Sequence, residues 1–229
     1  MEQLKELEEK ICYHFKNTNL LKKALTHSSY SNEKKSVCDN NERLEFLGDA
    51  VLEMISSSII YEQHQDMQEG EMTKLRASLV CEPTLADCAR ELKLPKFLLL
   101  GKGEEVTGGR ERDSIISDAF EAVIGAIYLD GGFEPARQFV IRFVMTDIEK
   151  KKLFYDSKTI LQEMIQKDYK EQLQYVLLEE TGPDHCKVFT TAACLGEREL
   201  GRGSGKTKKA SEQKAAYEAI QMLRNEGTK

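Results

Sequence analysis

The chain has 229 residues, a net charge of −6 and 40% hydrophobic residues. This length suits one or two domains, and enough apolar residues are present for a buried core, which argues against a disordered chain. No apolar run approaches the roughly 18–20 residues that span a bilayer, and the charged N-terminus lacks the apolar stretch of a signal peptide. We therefore expect a cytoplasmic protein with no membrane contact.

The first two thirds of the chain read almost entirely as helix, from Gln3 to about Lys150. Breaks are predicted at Asn17–Asn19, Ser31–Asn40 and the glycine-rich Gly101–Arg112, and a last helix covers Phe133–Ile148, with proline in its first turn. Apolar residues recur at helical spacing in four segments: Leu4–Ile11, Leu44–Ile60, Met72–Ala89 and Ile115–Leu129. The sequence therefore predicts an all-α domain over residues 1–150.

The pattern changes after Lys150, where residues 149–156 form a candidate linker that we expect to be short and mobile. A helix over Ser157–Tyr169 follows, with Asp156 or Ser157 as its N-cap. Three strand-like runs come next, with a turn at Gly182-Pro183-Asp184 between the first two: Gln174–Glu180, Cys186–Cys194 and Glu197–Gly203. A closing helix over Lys206–Arg224 has small and apolar residues on its predicted inner side: Ala210, Ala215, Ala216, Ala219 and Ile220. The order α-β-β-β-α predicts a small α+β domain over residues 155–229.

The negative charge is confined to the helical part. Residues 155–229 hold 12 Lys+Arg against 12 Asp+Glu, whereas residues 1–154 hold 21 against 27. Within the neutral part, lysines are concentrated in nine residues, at Lys206, Lys208, Lys209 and Lys214. Phosphates respond to such local clustering, because charges are screened beyond about 8 Å. The overall acidity therefore does not exclude a nucleic-acid partner.

Two helical segments carry carboxylates on one stripe. Glu42, Glu45 and Asp49 stand at i, i+3 and i+7, beside an apolar stripe of Leu44, Leu47, Val51 and Ile55. The second segment places Asp118 and Glu121 at i and i+3. Carboxylates this close repel each other unless a cation neutralises them. Together the two helices supply four oxygen ligands for one metal site: Glu45, Asp49, Asp118 and Glu121.

The alternative for each stripe alone is a solvated acidic face, which is the more common case. Small residues in both helices favour a site instead, because they allow two backbones to approach closely and leave the acids half buried; they are Gly48, Ala50, Ala122, Gly125 and Ala126. Oxygen ligands without a full cage suit Mg²⁺, with Mn²⁺ as a plausible substitute. The six cysteines show no Cys/His metal spacing, which argues against zinc, and we expect no organic cofactor.

The stretch Asn41–Leu52 resembles the signature of the ribonuclease III family, which cuts double-stranded RNA. Thr26–Ser28, Gly70–Ala77 and Asp118–Gly132 also resemble family blocks in family order, and the last 70-odd residues resemble its double-stranded-RNA-binding domain. The resemblance implies magnesium-dependent endonucleolytic cleavage of double-stranded RNA in RNA processing and decay. The implied products carry 5′-phosphates and short 3′ overhangs.

The resemblance also implies roles for the acidic residues. Glu45, Asp118 and Glu121 match metal ligands, and Asp49 and Glu121 match catalytic residues, with Asp49 acting through water near the scissile phosphate. Glu42 and Glu69 match acidic positions that line the same valley. His27, in Thr-His-Ser, is more typical of a hydrogen-bonded structural residue than of a base.

Phe46 lies off the apolar stripe. From the residues alone it either packs against another helix of its own chain, which is favoured, or is exposed. The resemblance implies a homodimer in which an aromatic residue at this position enters a socket on the partner. Such a dimer has two carboxylate clusters, matched to the two strands of an RNA duplex.

In the second domain the resemblance implies an RNA-binding surface. Thr159, Gln162 and Glu163 match minor-groove contacts, the loop with His185 matches one that enters the next minor groove, and Lys208 and Lys209 match phosphate contacts. Ser211 and Glu212 stand where many such domains have alanine and then lysine. This removes one phosphate contact, for which Lys214 can compensate, so we expect modest affinity from this domain alone.

Two rival functions differ in class. One is a family member that binds duplex RNA without cutting it, and the other is a structural or ribosome-associated protein. The first would be marked by loss of a cluster carboxylate and the second by altered cluster residues or extra basic tails; all four carboxylates are present, and no basic tail is visible.

Overall fold

The computed structural model of the chain describes residues 2–34, 40–169, 171–182 and 187–226. The chain folds into two compact units, residues 1–148 and residues 149–229. Each unit has its own hydrophobic core.

Apart from an isolated β-bridge between Thr26 and Leu99, the regular elements among the described residues of the first unit are helices. Its helices are α1 Glu2–Ile11, α2 Thr18–Ala24, α3 Ser28–Glu33, α4 Glu42–Gln63, α5 Glu69–Val80, α6 Glu82–Glu91, α7 Lys102–Val106, α8 Asp113–Gly131 and α9 Phe133–Phe143, with 3-10 turns at Leu94–Phe97 and Gly109–Glu111. The all-α prediction is therefore confirmed for this unit.

Helix α8 forms the centre of the first unit and packs against α2, α4, α6 and α9. Its segment from Ile115 to Ile127 is almost completely buried, and Phe120 at its middle has no exposed surface. Gly132 lies between α8 and α9 at φ 87°, a conformation that glycine adopts without steric cost. The chain can therefore turn sharply at this point and return along the core as α9.

Three predicted boundaries in this unit are wrong. The segment Met72–Ala89 is two helices, because Cys81 is extended and Pro83, in the first turn of α6, has no N–H to continue α5. Helix α3 runs through Ser31 to Glu33, inside the predicted break. The glycine-rich stretch Gly101–Arg112 contains the short helix α7 and a 3-10 turn.

The junction between the units also differs from the prediction. Helix α9 ends at Phe143, short of the predicted Ile148, and Asp147 has a positive φ of 51° that an α-helix does not tolerate. A further helix, α10 Ile148–Tyr155, covers nearly all of the predicted linker. Leu153 of α10 is buried in the core of the second unit, so this segment is part of a folded unit.

The second unit is a three-stranded antiparallel sheet with helices. Its remaining elements are α11 Ser157–Asp168, β1 Leu173–Thr181, β2 Val188–Leu195, β3 Arg198–Gly205 and α12 Lys208–Glu226. The strands lie in the order β1-β2-β3, with Tyr175 opposite Ala193 and Ala193 opposite Gly201. The predicted α-β-β-β-α order is confirmed.

The inner side of α12 is close to the predicted one. Ala215, Ala216, Ala219 and Ile220 are fully buried, but Ala210 is exposed, because the helix begins at Lys208 and its first turn projects beyond the core. The inward position in this turn belongs to Ser211, whose hydroxyl lies 2.7 Å from that of Thr191 on β2. Ser211 is therefore a packing residue of the second unit.

Within the described ranges, no helix is both long enough and apolar enough to cross a membrane. The cytoplasmic location stays a prediction. Four cysteines fall in those ranges, and each is a reduced thiol: Cys12, Cys81, Cys88 and Cys194.

Candidate active site

Helices α4 and α8 touch through their backbones. A Cβ atom placed on Gly48 would lie 1.8 Å from the carbonyl oxygen of Glu121, and one on Gly125 would lie 2.3 Å from that of Leu44. Only glycine fits at these two positions, as the sequence predicted for Gly48 and Gly125. Ala50, predicted to help in this approach, is exposed on the other side of α4 and does not contribute.

This contact brings carboxylates of the two helices together. Glu45 of α4 and Asp118 and Glu121 of α8 each offer an oxygen, and the three oxygens lie within 4.8 Å of one another. We call these three residues the acidic cluster. All three are half buried, because each side chain emerges beside the close helix–helix contact.

Burial and mutual repulsion disfavour the charged forms of the acidic cluster, and burial raises the pKa of all three carboxyl groups. The pKa of Glu121 is raised to about 8, first by burial and then by the charges of Asp49 and the two other cluster residues. The pKa of Glu45 is raised by burial, then by Asp118, Glu42 and Asp49. A divalent cation in this position would replace the protons and remove the repulsion.

Asp118 has two neighbours that the sequence analysis did not assign to the site. Burial raises the pKa of Asp118, while the charge of His27 and a hydrogen bond from Ser117 act in the opposite direction. His27 also caps α3, because its Nδ1 accepts a hydrogen bond from the backbone N–H of Ser29. The predicted structural role of His27 is therefore observed. The tertiary fold also brings His27 close to Asp118 of the acidic cluster, which the sequence did not indicate.

The other acidic candidates lie outside the acidic cluster. Asp49 and Glu42 are exposed on α4, and their charges reach Glu45. Glu69 is exposed at the start of α5, where it accepts a hydrogen bond from Thr73 at 3.1 Å, and it lines a groove with Tyr61 and Arg76. Among the described residues, Glu69 is not part of the three-carboxylate group.

Phe46 is 80% exposed, so the interpretation of this residue as ordinary core is wrong. Three other exposed apolar residues follow it at helical spacing along α4: Ala50, Met54 and Tyr61. These four residues form one face, which we call the α4 apolar face. It lies beside the carboxylate stripe, because Phe46 stands one helical turn after Glu42.

The second unit presents the predicted polar residues on its surface. Thr159, Gln162 and Glu163 are exposed on one face of α11. Lys208 and Lys209 are exposed at the first two positions of α12, and the Nζ of Lys208 lies 5.8 Å from the centroid of the Phe189 ring. Thr207 caps this helix by accepting a hydrogen bond from the N–H of Ala210. The predicted contact residue His185 lies outside the described residues.

The donor set of the acidic cluster suits a hard divalent cation. It offers only carboxylate oxygens, at a spacing that one ion can bridge, and it leaves room for water ligands. Beside it lies an exposed carboxylate, Asp49, that solvent and a substrate can reach. A half-buried cluster of this kind can bind a metal at the protein surface, where a bound ion can activate a water molecule.

Two family models match the chain. The model described as "Ribonuclease-III-like" covers residues 17–148, and the "Double-stranded RNA binding motif" covers residues 157–223. The chain belongs to the ribonuclease III family, and it is an endoribonuclease with a double-stranded-RNA-binding domain.

Curated relatives match over almost the full length. The "Ribonuclease 3" of Caldanaerobacter subterraneus is 49% identical over 95% of this chain and 96% of its own length. That of Bacillus velezensis is 47% identical over 100% of this chain and 93% of its own length.

Solved structures resemble the first unit. The nuclease domain of ribonuclease III from Campylobacter jejuni is 44% identical, with a TM-score of 0.60, over 64% of this chain and 97% of that one. A second structure of the same domain, with a TM-score of 0.59, covers 62% of this chain and 96% of that one. Its description refers to structural flexibility in a region involved in dimer formation.

Proposed function

We propose that this protein is a magnesium-dependent homodimeric endonuclease that cuts double-stranded RNA and leaves 5′-phosphates and short 3′ overhangs. The observation that carries the proposal is the acidic cluster, in which oxygens from two helices lie within 4.8 Å of one another. We infer that catalysis and dimerisation belong to the first unit and RNA binding to the second, a division that the family matches support.

Each carboxylate has a distinct role in the proposed reaction. Bound magnesium supplies positive charge at the phosphate and an activated water. Glu45, Asp118 and Glu121 would hold the ion, and Mn²⁺ would fit the same oxygen donors. Asp49, exposed beside the cluster, accepts hydrogen bonds from water near the scissile phosphate. Glu121 therefore both binds the ion and, with Asp49, shapes the charge around the reacting phosphate.

The homodimer is supported by the α4 apolar face. Antiparallel pairing of α4 with its copy about a two-fold axis near Met54 would place Phe46 opposite Tyr61 of the second copy. Tyr61 lines a groove of about 550 Å³ together with Met72 and Ile60, where an aromatic side chain can insert. The description of the nuclease domain from Campylobacter jejuni mentions dimer formation, which supports a dimer of this unit.

RNA binding is supported by the exposed residues of α11 and α12. The face with Thr159, Gln162 and Glu163 suits a minor groove, and Lys208 and Lys209 add charge at the positive end of a helix. We propose that both surfaces bind one duplex, largely by its shape. Natural substrates would then be duplex regions of RNA precursors, in RNA processing.

The test is cleavage of a long RNA duplex with and without magnesium. Wild type should cut only with the divalent ion, and Glu121→Gln should lower the rate by at least about a hundredfold because a charged ligand of the ion becomes neutral. Binding of the variant to duplex in EDTA should stay within about threefold of wild type. Cutting by Glu121→Gln at near the wild-type rate would show that the metal assignment is wrong.

A further inference from the structure

An ion pair joins the two helices that carry the proposed RNA-binding surfaces. The Nζ of Lys158, in the first turn of α11, lies 2.5 Å from a carboxylate oxygen of Glu212 on α12. The same Nζ lies 4.8 Å from the centroid of the Tyr175 ring on β1. The ammonium group is thus held between a carboxylate and an aromatic face, a geometry that favours a fixed position.

Neighbouring residues reinforce this junction. The hydroxyl of Ser157 donates a hydrogen bond to the carbonyl of Gln213 at 2.9 Å, and the Gln213 side chain donates to the carbonyl of Phe154 at 2.8 Å. Ser157 has no exposed surface. The start of α11 is therefore fixed to the second turn of α12 at consecutive positions.

The ammonium group of Lys158 balances the negative charge of the Glu212 carboxylate. The Tyr175 hydroxyl is buried and has no hydrogen-bond partner among the residues that the structure describes. Its pKa is raised to about 12 by burial and then by the charge of Glu212, which places that carboxylate close to the ring. The Glu212 side chain is 28% exposed, so without Lys158 its charge would be compensated by water on its exposed side alone.

The pair lies between the two proposed contact surfaces. Thr159 directly follows Lys158, and Lys208 precedes Glu212 by one helical turn. A duplex presents successive minor grooves and the phosphates between them at fixed separations over about 16 base pairs. The distance between the α11 face and the start of α12 must therefore match the duplex.

We propose that Lys158 and Glu212 are positioning residues for duplex RNA, which fix the spacing between the minor-groove face of α11 and the phosphate-binding lysines of α12. This inference rests on the proposed RNA-binding function of those two surfaces. It gives Glu212, an acidic residue one turn from the binding lysines, a function that outweighs its repulsion of phosphates.

The experiment compares Lys158→Gln, Glu212→Gln and the double variant in the full-length chain. Binding to a duplex of about 20 base pairs is measured in EDTA, which prevents cleavage, at two salt concentrations. Both single variants should weaken binding about fivefold, and the double variant should be no weaker than either, because the two residues act as one unit. Lys158→Arg, which keeps the ion pair, should bind within about twofold of wild type.

The two substitutions change the charge in opposite directions, which separates positioning from simple electrostatics. If Glu212 acted only through its charge, Glu212→Gln would bind more tightly and with a steeper salt dependence, while Lys158→Gln would bind more weakly. That pair of results would overturn the inference. Thermal unfolding of each variant, with binding assayed well below the transition, ensures that only folded protein is compared.

A further variant distinguishes failure of this inference from failure of the proposed RNA interface. Lys208→Ala combined with Lys209→Ala should weaken binding to all duplexes and reduce the salt dependence, because up to two phosphate contacts are lost. If this variant binds like wild type, the RNA interface itself is wrongly placed. If it binds weakly while Glu212→Gln binds more tightly, only the positioning role fails.

Discussion

Glu121 combines partial burial with three neighbouring carboxylates, and this determines how the protein responds to pH. Its folded-state pKa of about 8 lies above the ordinary value of 4.5, so the folded protein holds a proton that the unfolded chain releases. The contribution of Glu121 to the free energy of unfolding is fully present below pH 4.5 and is lost as the pH rises through 8. The ionised acidic cluster therefore lowers the folding stability of the metal-free enzyme at alkaline pH.

We predict that Glu121→Gln stabilises the metal-free protein at high pH, because glutamine keeps the shape and does not ionise. In EDTA at pH 9, urea unfolding should show a gain on the order of 2 kcal/mol, after allowance for solvent screening. At pH 5 the variant and wild type should unfold at similar urea concentrations. Equal stability at both pH values would contradict the proposed burial of charge.

At the scale of elements, the contact between α4 and α8 sets the position of the acidic cluster. We predict that Gly125→Ala destabilises the first unit by about 3 kcal/mol or more, because the new methyl group meets the carbonyl oxygen of Leu44 at 2.3 Å. Any relief requires α4 to move, which separates Glu45 from Glu121. Urea unfolding would measure the stability, and the magnesium concentration needed for half-maximal cleavage should rise.

Gly70→Ala is the matched control. Gly70 lies in the first turn of α5, and a Cβ there has no atom within 4 Å. This variant should be neutral or more stable by up to about 1 kcal/mol, since alanine favours helix. If both alanine variants behave alike, the helix contact does not constrain the site.

The long helices and the carboxylate stripes could be predicted because both depend on local spacing. The positions at which helices begin and end were harder to predict. Asp147 adopts a positive φ, a conformation that is uncommon for any residue other than glycine although Asp adopts it more readily than most, so the residue type alone did not indicate the turn after α9. The lysine-rich stretch of α10 has the composition of a solvated segment, and only tertiary packing of Leu153 makes it part of a core. His27 near Asp118 likewise depends on the fold.

At the scale of the whole molecule, dimerisation should depend on the α4 apolar face. We predict that Phe46→Ala raises the dimer dissociation constant by at least about thirtyfold, the effect expected of a central aromatic residue at an interface. Sedimentation equilibrium would measure it. Val106→Ala provides the control, because Val106 is 87% exposed in the same unit but lies on α7. An unchanged dimer with Phe46→Ala would place the interface elsewhere.

The two units should also function separately. A fragment of residues 1–150 should remain a folded dimer and cut duplex RNA with magnesium, best at low salt, where weak phosphate contacts count most. The fragment 149–229 should bind duplex and never cut it. Gel assays at two salt concentrations would measure both activities. A folded, dimeric first fragment without cleavage at low salt would mean that chemistry requires the second unit.

The boundary of the second fragment matters for its stability. Leu153 belongs to its core, and the ring of Phe154 lies 5.5 Å from that of Tyr217. A fragment that begins at Ser157 loses both contacts and the hydrogen bond from Gln213 to the Phe154 carbonyl. We predict that it unfolds at a temperature at least about 5 °C lower than the fragment 149–229, as measured by circular dichroism. Equal unfolding temperatures would show that α10 adds nothing to this unit.

The backbone contact at Gly48 and Gly125 affects how the sequence of this enzyme can change during evolution. Main-chain atoms of α4 and α8 meet directly at these two glycines, so at this contact backbone atoms set the spacing of the helices that carry Glu45 and Glu121. Exchanges among apolar residues elsewhere in the core can be absorbed by neighbouring side chains. The core can therefore change at many positions while the acidic cluster keeps its spacing, whereas at this helix contact neither Gly48 nor Gly125 can be replaced by a residue with a side chain.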